Sequence, residues 1–152
     1  MQPFFADYYQ LLETLLNDME ATISGVPTEG INWVPGPEMN SLGVLIYHTL
    51  GATRYLIGDV CLGESSNRDR AAEFAQTSLT ASELHDRMNA VKAYLTGALG
   101  RLTMDDLPLV KPYPGRNTEN TVSATLLHAL DHVGLHLGHA QITRQLWDQR
   151  NS

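Results

Sequence analysis

The sequence predicts an all-α protein, an up-down four-helix bundle that forms a single domain over residues 1–152. Four segments carry apolar residues at three- and four-residue spacing, which places these residues on one face of a helix. Two stretches rich in proline and glycine interrupt these segments, and no stretch of useful length alternates apolar and polar residues as a half-buried strand does. Long helices joined by such loops are typical of helical bundles.

The first helix is predicted over residues 2–23, and Gly25 and Pro27 end it. Its inner face comprises Phe4, Phe5, Tyr8, Leu11, Leu12, Leu15, Leu16 and Met19. Residues 24–39 hold three prolines and three glycines and are predicted to form a loop. Because large aromatic side chains are usually buried, Trp33 in this loop is expected to pack on the end of the bundle.

The second helix is predicted to begin at Asn40 or Ser41, both favourable N-cap residues, and to end near Gly63. The polar residues 64–78 that follow are predicted to form a connection with a short helical turn. The third helix begins at Thr80, which can form a capping box with Glu83.

A second loop, marked by Pro108, Pro112, Pro114 and Gly115, precedes the fourth helix, which is predicted over residues 118–149.

The charge balance excludes some classes of partner. The chain has 17 acidic and 10 basic side chains, a formal net charge of −7, and no cluster of basic residues. Nucleic-acid and anionic membrane surfaces attract basic patches, so neither is expected as a partner. Cys61 is the one cysteine, which rules out a disulfide within the chain. With no signal peptide and no apolar run of ~20 residues, we expect a cytoplasmic protein.

The fourth predicted helix carries an unusual stripe of polar residues. On a helical projection these residues fall within ~40° of one line, while leucine, valine, alanine and isoleucine occupy the rest of the circumference. The stripe comprises Thr121, Thr125, His128, His132, His136, His139 and Thr143. A helix that is apolar nearly all round is normally buried, so the stripe is predicted to face the bundle interior or a cavity.

Metal binding explains several histidines on one buried line. Two imidazoles four residues apart lie on adjacent helical turns, where their nitrogens can bind one ion at ~2.0–2.1 Å. Both His128–His132 and His132–His136 have this spacing, so the spacing leaves the choice open. His48, within the second helix, is the candidate third ligand. The alternative without a metal is a hydrogen-bonded network of histidines.

Two familiar metal motifs are missing from the sequence. Val133 follows His132 and Ala129 follows His128, so there is no HExxH motif of a metalloprotease. The helices also lack the Glu-x-x-His pairs of di-iron bundles. A set of nitrogen ligands suits zinc, nickel, copper or iron better than magnesium or calcium.

Two stretches resemble the DinB-like (YfiT-like) superfamily of metal-binding four-helix bundles. One is the loop Ile-Asn-Trp-Val-Pro-Gly-Pro-Glu-Met-Asn-Ser-Leu at residues 31–42, followed by His48. The other is His-Ala-Leu-Asp-His-Val-Gly-Leu-His-Leu-Gly-His at residues 128–139, with Arg144 beyond. The resemblance implies that His48, His132 and His136 are the metal ligands. His128 is then expected one turn away, beside the site or in the core, and His139 could touch the site or orient a ligand histidine.

The resemblance also implies a function. Characterised members include metal-dependent transferases and isomerases that act with a low-molecular-weight thiol. We therefore expect zinc or nickel as the cofactor, and a small-molecule thiol and an electrophilic substrate as partners. Tyr55 and Asp59, which share the predicted face of His48, are candidate catalytic residues. Relatives often have an acidic residue where this chain has Val133, so a general base is not expected there.

The same residues are compatible with two other functions, and the last helix predicts an assembly state. The same metal could activate water in a hydrolase with Asp59 as base, or a closed site could serve a non-catalytic metal-binding stress protein. The last helix also has more apolar surface than a four-helix core covers, spread over Leu127, Ile142, Leu146 and Trp147. This predicts a homodimer through the first or last helix.

Overall fold

Helices make up most of the chain in the computed structural model, which describes residues 1–150 and 152. In chain order the elements are α1 (Pro3–Ala21), α2 (Thr28–Asn32), α3 (Leu42–Arg54), a π-helix (Tyr55–Cys61), α4 (Arg70–Phe74), α5 (Ala81–Gly100), a 3₁₀ turn (Met104–Asp106), β1 (Val110–Pro112), β2 (Glu119–Thr121) and α6 (Val122–Arg150). The predicted all-α bundle is confirmed. Among the described residues, no helix is long and apolar enough to cross a bilayer.

The four long helices α1, α3, α5 and α6 surround one core. Helix α6 packs against α3 and α1, and α5 packs against the same two helices from the other side. The consecutive long helices α1 and α3 therefore lie diagonally across the bundle. This arrangement explains the long connection over residues 22–41, because the chain must cross the end of the bundle between them.

The apolar periodicity of α1 produces its buried face. Five of its side chains are buried at three- and four-residue spacing: Phe5, Tyr8, Leu12, Leu16 and Met19. Each large apolar side chain stabilises the fold by roughly 1.5–3 kcal/mol when fully buried. Trp33 packs against the core as predicted, with its ring centroid 5.7 Å from that of Trp147.

The predicted helix starts agree with the observed caps. The Ser41 hydroxyl accepts a hydrogen bond from the Val44 amide (3.2 Å) at the start of α3. Thr80 and Glu83 form the capping box that begins α5. These side chains satisfy backbone N–H groups that the first helical turn leaves without a partner.

The fourth helix begins later than predicted. Residues 119–121 form β2, which pairs antiparallel with β1, with Val110 opposite Thr121. The sequence showed no strand pattern of useful length, and this short hairpin was not predicted. Strands of three residues are too short for an alternating pattern to reveal them. Gly115, with φ +77°, lies in the intervening turn and adopts the left-handed conformation that glycine favours.

The second predicted helix changes type at Tyr55. Its first part is the α-helix α3, and its last seven residues form the π-helix. A π-helix turns less per residue than an α-helix, so a projection that assumes 100° per residue misplaces the side chains beyond Tyr55. Asp59 is the residue for which this difference matters.

Candidate metal centre

Three histidines converge between α3 and α6. His48 extends from α3, and His132 and His136 extend from successive turns of α6. One nitrogen from each ring lies within 4.8 Å of one nitrogen from each of the others. The His48 ring centroid lies 5.2 Å from each of the other two, which are 4.4 Å apart. The structure therefore brings together the three residues that the sequence indicated as ligands.

The environment of His48 fixes its orientation. Its Nδ1 lies 2.9 Å from Oε2 of Glu73, and both side chains are almost fully buried. When Nδ1–H donates to this carboxylate, the lone pair on Nε2 is free to bind a metal. A carboxylate that accepts a hydrogen bond from a ligating histidine is a recurrent feature of metal sites, because it fixes the tautomer and the ring orientation.

Arg68 holds the Glu73 carboxylate in place. Its Nε donates to Oε1 (2.7 Å) and its terminal Nη2 donates to Oε2 (2.8 Å). Burial alone would raise the pKa of Glu73, but the hydrogen bonds and charges of Arg68 and His48 outweigh burial and lower that pKa. Glu73 is therefore ionised at neutral pH and can accept from His48.

Glu73 and Arg68 were missed in the sequence because they lie in a polar connection without a metal motif. Asp69 caps α4 by accepting from the Ala72 amide (3.0 Å), and this short helix presents Glu73 to α3. The close approach also depends on Gly51. A Cβ there would overlap Oε1 of Glu73 and lie 2.9 Å from its carboxyl carbon.

The two triad histidines of α6, His132 and His136, are neutral at physiological pH and can offer a lone pair to a metal. Burial, and then the neighbouring imidazoles His136, His48 and His128, lower the pKa of His132 to about 3. Burial, and then His48 and His139, lower the pKa of His136 to about 4. Their Nδ1 atoms are buried and have no hydrogen-bond partner among the described residues.

This donor set fits a divalent transition metal. A buried imidazole nitrogen without a partner costs free energy, and a metal ion is one of the few groups that can use its lone pair. Tetrahedral ligation at ~2.05 Å places nitrogens ~3.4 Å apart, and the ligand nitrogens of the three rings lie within 4.8 Å of one another.

His128 and His139 flank the triad at its two ends. The His128 ring lies 6.0 Å from that of His132, and the His139 ring lies 5.5 Å from that of His136. Both side chains are exposed. The expectation that the whole stripe is buried is therefore wrong for these two residues. Within the described residues, neither belongs to the group of nitrogens close enough to share one ion.

A cavity of about 180 Å³ adjoins the triad. Its walls comprise His48, Ala52, Tyr55, Leu56, Arg68, Arg70, Arg116, His128 and His132. Tyr55, a predicted catalytic residue, therefore lies beside the triad. Its hydroxyl donates to the Pro114 carbonyl (2.8 Å), and burial raises its pKa although Arg116 and Arg68 oppose the shift. In this arrangement Tyr55 forms a wall of the cavity and anchors the β1–β2 turn.

Asp59, the other predicted catalytic residue, does not line this cavity. Its carboxylate is buried and accepts hydrogen bonds from the Ser66 amide (3.0 and 3.1 Å) and hydroxyl (2.6 Å). Arg54 also lies 3.3 Å from it. The side chain thus secures the segment that leads to Arg68. The π-helix explains this placement, because it rotates Asp59 away from the face of His48.

Cys61 and Arg144 lie outside the candidate metal centre. Cys61 is buried, and burial raises its pKa to about 12, which disfavours a nucleophilic thiolate at neutral pH. Arg144 donates to both carboxylate oxygens of Asp148 and to the carbonyls of Thr22 and Ser24. It therefore ties α6 to the turn that follows α1.

The comparisons with known proteins agree with this architecture. The sequence model of the DinB superfamily matches residues 11–140. The fold is similar to the crystal structure of a conserved protein from Enterococcus faecalis, with a TM-score of 0.78 and 19% identity over 98% of this chain and 99% of that chain. A DinB-like protein from Bacillus cereus gives a TM-score of 0.70 and 19% identity over 95% and 91% of the two chains. No curated protein matches the chain.

Proposed function

This chain belongs to the DinB superfamily, and from that premise we propose that it is a divalent-metal-dependent transferase or isomerase acting with a low-molecular-weight thiol. The observation that carries the proposal is the convergence of three imidazoles beside a cavity. Their ligand nitrogens lie within 4.8 Å of one another, and His48 and His132 also line that cavity. Three protein ligands with an adjoining space for a small molecule resemble a catalytic metal site rather than a closed structural one.

The residues that would hold the ion are His48, His132 and His136. Zinc and nickel are the metals that we favour, because both bind imidazole nitrogen readily. A bound ion would supply positive charge that lowers the pKa of a thiol, so that a thiolate is available at neutral pH. Glu73 contributes by keeping His48 in the tautomer with a free Nε2.

The neighbouring side chains provide the rest of the proposed reaction. His128, an exposed imidazole on the cavity wall, accepts the proton that the thiol loses. The sulfur then forms a bond to an electrophilic carbon of the second substrate, and the leaving group departs with the bonding electron pair. The side chains of Ala52 and Leu56, together with the Tyr55 ring, form the apolar part of the cavity wall.

The alternative functions have less support from the side chains. The hydrolase suggested by the sequence relied on Asp59 as the base that activates a metal-bound water. Among the described residues, no Asp or Glu lines the cavity, and Asp59 is engaged by Ser66 and Arg54. A non-catalytic structural site is usually closed by four ligands, whereas the close group in the described part of the chain has three.

The proposal is tested by a thiol-conjugation assay on protein loaded with zinc or nickel. Glutathione, cysteine or another small thiol is mixed with a chromogenic electrophile such as 1-chloro-2,4-dinitrobenzene, and the thioether is followed by absorbance. We expect metal-dependent turnover above the uncatalysed rate that is lost in His136→Ala. Metal-loaded protein that accelerates the reaction of no thiol in a panel of electrophiles would contradict the enzymatic proposal.

A further inference from the structure

The cavity beside the triad is strongly cationic. Arg68, Arg70 and Arg116 all line it, and no Asp or Glu does so among the described residues. The chain as a whole has a net charge of −7 and only 10 basic side chains. Three of these cations around one small space give it a positive potential that attracts anions.

One of the three guanidinium groups already has a partner. Arg68 makes two hydrogen bonds to the Glu73 carboxylate, which accounts for its charge. Arg70 and Arg116 form no ion pair with any residue in the described part of the chain, unlike Arg54, Arg68, Arg101 and Arg144. Their two positive charges are therefore available to a ligand.

Aromatic rings place Arg70 next to the triad. The guanidinium carbon of Arg70 lies 4.8 Å from the Phe74 ring centroid, and the Phe74 ring lies 4.5 Å from that of His48. A guanidinium over an aromatic face is attracted by the ring and loses some of its freedom to move. The Phe74 ring thus contacts both the Arg70 guanidinium and the ring of His48, a candidate metal ligand.

Arg116 is placed by the turn between β1 and β2. Its guanidinium carbon lies 6.0 Å from the Tyr55 ring centroid. The Arg116 amide donates to the Tyr113 carbonyl (3.0 Å), and the buried Tyr113 hydroxyl lies 3.2 Å from Oγ1 of Thr125 in α6. Tyr55 also donates to Pro114 within the same turn. These contacts attach the turn to α6 and to the π-helix, so Arg116 extends from an anchored segment.

We propose that Arg70 and Arg116 form an anion-binding subsite that receives a compact anionic group, a carboxylate or a phosphate, carried by the small molecule that binds beside the histidine triad. Planar guanidinium groups suit the oxygens of either anion. A cavity of about 180 Å³ accommodates such a compact group and is too small for a folded partner.

This inference rests on the proposed function for the reacting end of the ligand, but the subsite itself consists of arginines that are not metal ligands. It narrows the substrate class to molecules with an anionic group close to the reacting atom. Neutral electrophiles and neutral thiols would then bind weakly, because the two guanidinium groups would remain without a counter-charge.

The test is calorimetric titration of the full chain with succinate and, separately, with inorganic phosphate. Wild type is compared with Arg70→Gln, Arg116→Gln and the double variant. Arg150→Gln is the matched control, since it removes the same charge fourteen residues beyond His136 on α6, about 21 Å away along the helix. Each protein is titrated in metal-free form and after loading with zinc, and its zinc content is measured.

We expect one or both anions to bind wild type, with affinity at least ~10-fold weaker in the double variant and within ~2-fold of wild type in Arg150→Gln. The anion that binds more tightly identifies the carboxylate or phosphate class. Equal affinity in wild type and the double variant, or no binding of either anion, would overturn the inference. Protein that takes up no zinc but binds an anion through these arginines would refute the metal proposal while supporting the subsite.

Discussion

Nδ1 of His48 lies 2.9 Å from Oε2 of Glu73, and the pair joins α3 to the short helix α4. Both side chains are buried. Arg68 completes the arrangement, because its Nη2 also donates to Oε2 (2.8 Å) and lies 3.3 Å from Nδ1 of His48. A hydrogen bond at Nδ1 leaves Nε2 as the only free nitrogen of His48. Glu73, which lies in the polar connection of residues 64–78, therefore determines which nitrogen of His48 can bind a metal.

The first prediction concerns this carboxylate. Glu73→Gln should lower the affinity for zinc by about 10-fold, because an amide accepts more weakly from His48 and also leaves Arg68 without its counter-charge. Competition with a chromogenic chelator measures the affinity. Glu29→Gln, an exposed substitution in α2 with the same change of charge, is the control and should leave the affinity unchanged. Equal zinc affinities for Glu73→Gln and wild type would show that Glu73 does not orient the ligand.

The second prediction concerns the space that Glu73 needs. Gly51→Ala should displace the Glu73 carboxylate, weaken zinc binding and lower the free energy of unfolding by about 1–3 kcal/mol, since the added methyl overlaps a buried side chain. Gly97→Ala is the matched control in α5, where a Cβ meets nothing within 4 Å. It should stabilise the protein by about 0.5–1 kcal/mol. Urea unfolding measures both changes, and an unaltered Gly51→Ala protein would contradict the packing described.

The third prediction is a pH dependence of the metal-free protein. The folded state holds the pKa of His132 at about 3 and that of His136 at about 4, below the value of 6.5 for a free imidazole. At a pH between these lowered values and 6.5, the two histidines bind protons in the unfolded chain but not in the folded chain. The free energy of unfolding should therefore be highest above pH 6.5 and fall as the pH drops below it.

Each group can change the free energy of unfolding by at most ~1.4 kcal/mol per pH unit. Because both rings are partly exposed, we expect the pair together to lower it by only about 1 kcal/mol per pH unit. Urea unfolding at pH 7.5, 6.5 and 5.5 measures the slope, a range that lies above the ordinary titration of carboxylates. The double variant His132→Gln/His136→Gln should have a flatter slope. A slope as steep as that of wild type would assign the effect to other groups.

The fourth prediction concerns assembly. Three large apolar side chains of α6 are more than half exposed: Leu127 (65%), Leu135 (55%) and Ile142 (54%). Trp147, which was expected to contribute to this surface, is instead buried in the core. We propose that this face forms a homodimer, because isolated exposure of so much apolar surface on one helix is unfavourable. Sedimentation should give a dimer at micromolar concentration, and Leu135→Asp should shift it towards monomer. A monomeric wild type would contradict the proposal.

The long periodic segments were predictable, because burial of one helix face selects residues at regular spacing. The histidine stripe was predictable for a related reason, since four histidines of α6 share one line of the helix. The position of His48 within the second helix made it the candidate third ligand, but the spacing allowed either His128–His132 or His132–His136, and only the resemblance to a family selected the second pair. The capping residues Ser41 and Thr80 defined their helix starts through purely local hydrogen bonds.

The remaining parts depend on contacts between residues far apart in sequence or on departures from regular geometry. Glu73 meets His48 across 25 residues, and nothing in a polar connection indicates that contact. Asp59 was assigned to the face of His48 by a projection that the π-helix invalidates. Arg116 reaches the cavity from a hairpin whose strands are three residues long.

The central claim is that His48, His132 and His136 bind one divalent metal ion. The most direct measurement is elemental mass spectrometry on the native chain and on His132→Ala, both purified without a histidine tag. The account predicts about one zinc or nickel ion per native chain and a loss of that metal in the variant. A native chain without metal, which also takes up none when zinc or nickel is added, would contradict the claim and leave the histidines as a polar network.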